Sequence, residues 1–158
     1  METTRHHVAT AYVVNDGAVL LHEHDSLQMW LPPGGHVDRD EPPHECALRE
    51  TREETGLDAT IVGPDGDLSS DTVTELPRPR NVLLEDINVC DGAVGHQHVD
   101  FVYYARADHR ELDPAPGEQP AADWTWVDRE KLLADTERFE PDVIENGRRA
   151  IDAVERAD

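Results

Sequence analysis

Hydrophobic and polar positions along this chain follow two periods, one near two residues and one near three and a half. The runs "HVATAYVV" and "AVLLHEH" are rich in β-branched and aliphatic residues, which suit a pleated, half-buried strand. Between them stands "NDG", whose Asp-Gly step supplies the left-handed residues of a tight hairpin turn. The pattern predicts strands over about residues 7–14 and 18–24, paired antiparallel. "WLPPGGHV" follows, where prolines and glycines exclude regular structure except at its ends. Pro42 and Pro43 suit the first turn of a helix, where a missing N–H is no loss. That helix should run to Thr55, with Gly56 at the left-handed position just beyond.

Further on, "ATIVG", "NVLLEDINV", "HVDFVYYARA" and "DWTWVD" read as strands, and "REKLLAD" as a short helix. A last helix is predicted from Pro141 to about Glu155. There Ile144, Ile151 and Val154 fall at helical spacings, with Val143 and Ala150 beside them. Strands, a central helix, more strands and a terminal helix predict α/β layers around a mixed sheet. "PDGDLSSDTVTELPRPR" and "DPAPGEQPAAD" are polar loops, each able to carry specificity over the scaffold.

Length and charge narrow the picture. The 158 residues suit a single domain, 1–158, with 35 Asp plus Glu against 14 Lys plus Arg and a formal net charge of −21. Lys131 is the only lysine. Such a charge keeps a chain soluble but repels itself in dilute buffer, a lever used in salt adaptation. A salt-adapted, cytoplasmic protein is therefore expected. A nucleic-acid surface is not, because that needs clustered Lys and Arg. Cys46 and Cys90 are too few for a disulfide scaffold, and both are expected reduced and buried. The start "METTRHHVAT" has no apolar run of the signal-peptide kind, and no stretch approaches the length of a membrane span.

The helix before Gly56 carries the candidate chemistry. Arg49, Glu50, Glu53 and Glu54 are linked by steps of three or four and share one face, while Ala47, Leu48, Thr51 and Thr55 form the expected core stripe. Arg49 stands one turn before Glu53 and is expected to bond it bidentately. Three glutamates near one point repel one another unless a cation joins them, and their hard oxygens suit Mg2+ or Mn2+. Solvated surface in an acidic chain is the alternative for the glutamates taken alone.

Their spacing to earlier residues decides between the two. From Gly35 the chain reads G, five residues, Glu41, seven residues, Arg49-Glu50, two residues, Glu53-Glu54, one residue, Gly56, then Leu57. This resembles the Nudix box of the Nudix hydrolases, with its seven invariant letters in register. Thr51 departs from the pattern, which has Ile, Leu or Val there. Thr has the shape of Val, and its hydroxyl can bond the carbonyl four residues back. "WLPPGGHVD", "HVDFVYYARA" and "WTWVDREKLL" are also similar to family segments, so the resemblance touches most of residues 7–134.

The resemblance implies an α/β/α sandwich around a mixed sheet, and divalent-metal-dependent hydrolysis of a pyrophosphate bond in a nucleoside diphosphate derivative. It implies Glu50, Glu53 and Glu54 as metal ligands joined by the carbonyl of Gly35, Arg49 as their orienter, and Glu41 and Gly56 as support. Mg2+ is the implied cofactor, with Mn2+ as a substitute. Glu53 is the first candidate for general base, and Glu118, in the later loop, is a weaker one. A homodimer is among the assemblies the family allows. A nucleotide sensor on the same fold is the rival reading, and an acidic interaction protein with an accidental motif is a third. The substrate stays open among nucleoside triphosphates, nucleotide sugars and dinucleotides. Thr72 and Val73 stand where some ADP-ribose hydrolases have proline and some dinucleoside polyphosphate hydrolases have tyrosine.

Other patterns are weaker. His22-x-His24 and His96-x-His98 each put two imidazoles on one strand face, but no third or fourth ligand assembles by spacing. The segment from Asp65 alternates oxygen-bearing residues like a calcium loop, yet lacks glycine at its sixth position and glutamate at its twelfth, and reads as a plain loop. Trp30, Phe101, Tyr103 and Tyr104 are expected in packing rather than in stacking on a base.

Overall fold

In the computed structural model, which describes residues 2–24 and 28–157, the first hairpin forms as its turn residues dictate. Asp16 and Gly17 adopt φ of 47° and 75°, and strand β1 (Thr4–Asn15) turns back into β2 (Ala18–Glu23), with Val14 opposite Val19. Short strands β3 (Trp30–Leu31) and β4 (Gly34–His36) precede helix α1 (Pro43–Thr55). Then come β5 (Thr60–Val62), β6 (Asn81–Cys90), β7 (Ala93–Arg106) and β8 (Trp124–Asp128), followed by α2 (Arg129–Ala134) and α3 (Pro141–Ala157).

The strands make one mixed sheet around β1. It runs parallel to β7 from Thr4–His96 to Val14–Arg106 and antiparallel to β2 and β4. β5 and β6 pair antiparallel with β7, and β3 and β8 with β2. Alternation along β1 builds two cores. Ala9, Ala11 and Val13 pack with Cys46 and Ala47 of α1 on one face. Tyr12 and Val14 pack with Val143, Ile151 and Val154 of α3 on the other. The layers are α/β/α, as the order of elements predicts.

Several local expectations are corrected. Gly34 and Gly35 are strand residues paired with Thr10 and Ala9 of β1, not irregular backbone. Glycine is required by close approach: a Cβ on Gly34 would stand 2.6 Å from the Ala9 carbonyl oxygen, and one on Gly35 would stand 2.5 Å from the Glu50 carboxylate. On α1 the buried stripe is Cys46, Ala47, Thr51 and Thr55, with Leu48 only half-buried. The helix rolls toward β4, so the Cys46 thiol donates to the Gly35 and His36 carbonyls. Cys90 is exposed, not buried, because the outer half of β6 extends beyond the helical layers.

Three other details hold. Thr51 Oγ1 donates to the Ala47 carbonyl at 2.7 Å, satisfying the hydroxyl where the pattern has an aliphatic residue. Gly56 caps α1 at φ 78°, and a Cβ there would meet the Asp113 carbonyl oxygen at 2.5 Å. The region of residues 65–76 is irregular apart from one bridge between Ser69 and Thr74. No helix among the described residues is long and apolar enough to cross a membrane.

Candidate active site

The helix face of Arg49 and the glutamates meets β4 at one end of the sheet. Pro43 starts α1 and Gly56 stops it, so the box residues fall on its middle and last turns. Arg49 is the hub. Its Nε donates to Glu41 Oε2 at 3.0 Å and its Nη2 to Glu41 Oε1 at 2.7 Å, a two-point fork that favours a carboxylate over any neutral partner. Nη1 donates to Glu50 Oε1 and to Glu53 Oε2, each at 3.1 Å. The bidentate partner is therefore Glu41, not Glu53 as the helical spacing suggests. Glu41, from before the helix, meets the Nε–Nη2 edge of the guanidinium side-on, whereas Glu53 reaches Nη1 from one turn along the same helix.

This arrangement sorts the carboxylates. The Arg49 hydrogen bonds hold Glu41 down to about 2, and the Asp38 backbone N–H donates to it as well at 3.0 Å, which ties the preceding loop to the helix. Glu54 behaves oppositely. Burial, and then the neighbouring Glu50 charge, push it up to about 9, although the Gly34 N–H donates to its Oε1 at 3.3 Å. Glu50 is also raised, first by burial. Glu53 is half-exposed, with 44% of its side chain open to solvent.

Glu54 opens into a cleft of about 1180 Å³. The cleft lies on the α3 face of the sheet, where α3 covers Tyr12 and Val14 but leaves the earlier part of β1 open. Glu118, the weaker sequence candidate for general base, lines it with Glu54. Its loop is anchored to α1, since the Asp113 and Ala115 N–H groups donate to the Thr55 and Glu53 carbonyls at 2.9 and 2.8 Å.

The wall opposite holds residues that the sequence reading missed: Glu85, Asp100 and Asp142. Thr10 Oγ1 donates to both Asp100 oxygens at 3.1 and 3.2 Å. Burial pushes Asp100 up to about 6, and burial plus the Asp100 charge push Glu85 up to about 8. A signal for Asp100 existed. It alternates in phase with Val102 and Tyr104, so a carboxylate sits on the core-facing register of a strand.

Carboxylates thus line both walls, and Arg49 is the cation bound among the box glutamates. Among the described residues, no three His, Cys, Asp or Glu side chains stand arranged to close around a metal ion. Arg49 draws Glu50 and Glu53 to itself while Glu54 turns to Gly34. The donor chemistry still fits a hard divalent cation: Glu50 and Glu54, both raised by burial, stand side by side and supply oxygens that such an ion would stabilise in their charged form. The two-histidine pairs fare differently. His22 packs against Trp124 at 4.2 Å between ring centroids, whereas His96 and His98 join two other imidazoles at the cleft mouth. Of the aromatics, Tyr103 and Tyr104 are buried, and Trp30 packs on Phe139 and under Arg138.

Known proteins share this architecture. The NUDIX domain model matches residues 4–146. A hydrolase of the NUDIX family from Clostridium perfringens superposes with a TM-score of 0.80 at 28% identity, covering 96% of this chain and 99% of that one. A Caenorhabditis elegans Ap4A hydrolase superposes at 0.61 with 18% identity, over 97% and 99% of the two chains, a likeness of fold.

In sequence, a probable DHNTP pyrophosphohydrolase of Lactococcus lactis is 30% identical over 107 residues, 68% of this chain and 57% of the relative. The mouse asymmetrical bis(5'-nucleosyl)-tetraphosphatase is 55% identical over 42 residues, 27% of this chain and 29% of the relative. The aligned segments thus span less than two thirds of these curated relatives. The match over 4–146, on a box complete from Gly35 to Leu57 and folded around the Arg49 hub, makes this chain a member of the Nudix family.

Proposed function

We propose that this protein is a divalent-metal-dependent pyrophosphohydrolase acting on a nucleoside diphosphate linked to a further group. The observation that carries the reading is the anionic cleft. A pocket walled by Glu54, Glu85, Asp100, Glu118 and Asp142 would repel a polyphosphate unless cations accompany it, and Arg49 is already engaged with Glu41, Glu50 and Glu53. The names of two relatives, a bis(5'-nucleosyl)-tetraphosphatase and a probable DHNTP pyrophosphohydrolase, support a phosphate anhydride as the element that is cleaved.

Glu50, Glu53, Glu54 and the Gly35 carbonyl would hold Mg2+, or Mn2+ in its place. When bound, such an ion neutralises phosphate charge and lowers the pKa of coordinated water. The chain's own residues set the stage for it. Arg49 fixes the rotamers of Glu50 and Glu53 through its Nη1 hydrogen bonds. Glu54, raised to about 9 by burial and then by the Glu50 charge, would be held in its ionised form by a bound cation. Glu53 is the proposed general base: half-exposed and tethered to Arg49 through one oxygen, it can take a proton from water. Glu118 faces the same space from a loop anchored to α1 and is the second candidate. Glu41 and Gly56 act on the backbone around them, one at each end of the helix.

The charge of −21 supports a working environment of high salt, in the cytoplasm of a salt-adapted cell. The test is a panel of nucleoside triphosphates, nucleotide sugars and dinucleoside polyphosphates, assayed with Mg2+ in high salt, with products separated by chromatography. Metal-dependent appearance of two phosphate-bearing products from at least one substrate is expected. Saturable binding with no product would establish the sensor reading instead. A melting curve indifferent to divalent metal would overturn the metal-dependent reading.

A further inference from the structure

At the open end of the sheet, four imidazoles form a closed ring on the cleft face. His6 of β1, His36 of β4, and His96 and His98 of β7 follow one another around it. Ring centroids are 5.2 Å apart for His6–His36, 5.2 Å for His36–His98, 5.1 Å for His98–His96 and 4.6 Å for His96–His6. Neighbouring planes stand at 72–90° to one another. The sheet creates this ring. His6 lies beside His98 in the parallel β1–β7 ladder, and His36 lies opposite Val8, two residues on and on the same face. Only the "HQH" pair is close in sequence.

We propose that this ring is a second metal site, separate from the box glutamates, selective for a late first-row transition ion such as Cu2+ or Ni2+. Four imidazoles are the donor set such ions prefer, and Mg2+ does not. With metal–nitrogen bonds of about 2 Å, ring centroids lie about 3 Å from the ion and about 4.5–5 Å from each other. The observed separations of 4.6–5.2 Å lie within a few tenths of an ångström of that range. Near-perpendicular neighbouring planes are how four rings stand upright around a tetragonal ion without touching.

One ligand is also oriented from behind. His96 Nδ1 is 2.8 Å from Thr4 Oγ1, which leaves Nε2 for the ring's interior, the arrangement that fixes tautomer and direction in metal-bound histidines. The nitrogens do not converge as they stand. His6 and His36 are exposed, so they reach the ion by side-chain rotation, without a change of backbone. An ion held there would tie the start of β1 to β4, next to Gly35, and to the β6–β7 hairpin.

The test uses the untagged full-length chain, stripped with a chelator and titrated with Cu2+, then Ni2+. Electron paramagnetic resonance of the first equivalent of Cu2+ should show three or four equatorial nitrogens. Ni2+ should raise the melting temperature where equal Mg2+ does not reproduce the effect. His6→Asn with His96→Asn should abolish both responses, while Glu53→Gln with Glu54→Gln should leave them intact. A first equivalent with oxygen or single-nitrogen ligation overturns the proposal, as does a signal unchanged by the histidine pair or removed by the glutamate pair. If the histidine variant unfolds, the nitrogen count on the wild-type chain decides alone. The hydrolase reading is scored separately, by Mg2+-dependent product formation.

Discussion

Replacing Glu41 by Gln tests whether Arg49 is held from the loop side, as the two-point fork requires. The amide keeps the size of the side chain and an oxygen for the Asp38 N–H, so the change removes charge more than shape. The native carboxyl lies at about 2 against an ordinary 4.5, a difference equivalent to about 3 kcal/mol. Arg49 is 27% exposed and Glu41 12%, so solvent screening lowers the expected loss to about 2 kcal/mol. In a chain of this length that is a fall of roughly 4–8 °C in melting temperature. Because the native pKa is depressed, this stability is complete above pH 4.5 and disappears as pH falls from 4.5 toward about 2. Thermal or urea unfolding of wild type and E41Q, at fixed ionic strength from pH 2 to 7, should therefore give curves that separate at neutral pH and converge in acid. A gap below 1 °C at pH 7, or one of constant size across the acid range, refutes the fork.

Three further outcomes are expected. Glu53→Gln should lower turnover at least ~100-fold with a change in melting temperature of less than about 3 °C, because Glu53 is half-exposed and shares Arg49; near-normal turnover would remove it from the proposed chemistry. Asn146→Ala should destabilise by about 2–4 kcal/mol in urea unfolding, since the buried Asn146 Oδ1 accepts from both Asn81 Nδ2 and Tyr104 Oη at 2.7 Å; a loss under 1 kcal/mol would show that water replaces it. The melting temperature of the wild-type chain should climb steadily from dilute buffer to molar KCl, as screening relieves the net charge of −21. A flat or falling curve would separate that charge from salt adaptation.

Local chemistry wrote much of this molecule directly into its sequence. Asp16-Gly17 makes the first turn, Pro42-Pro43 and Gly56 bound α1, and alternation along β1 and β7 assigns residues to two cores. These are short-range effects of backbone conformation and side-chain period, so they survive without knowledge of neighbours. The box was legible for the same reason. Its members lie within 23 residues, from Gly35 to Leu57, and most stand on one helix whose geometry is fixed. Even there the partner of Arg49 was misassigned, because Glu41 approaches from a loop that helical spacing does not describe.

What only the tertiary structure decided are the juxtapositions across strands. Asp100 meets Thr10 and Glu85, Glu118 comes back to Glu54, and His6, His36, His96 and His98 close into a ring, although residues 6 and 98 are far apart in the chain. Such contacts depend on strand order and register, here the parallel pairing of β1 with β7. A parallel neighbour is brought in by a long crossover whose length leaves no local trace of which residues will face each other. The sequence by itself determined a helix that gathers Arg49, Glu50, Glu53 and Glu54 on one face. The sheet decided what surrounds them: a cleft with acidic walls and four histidines at its mouth.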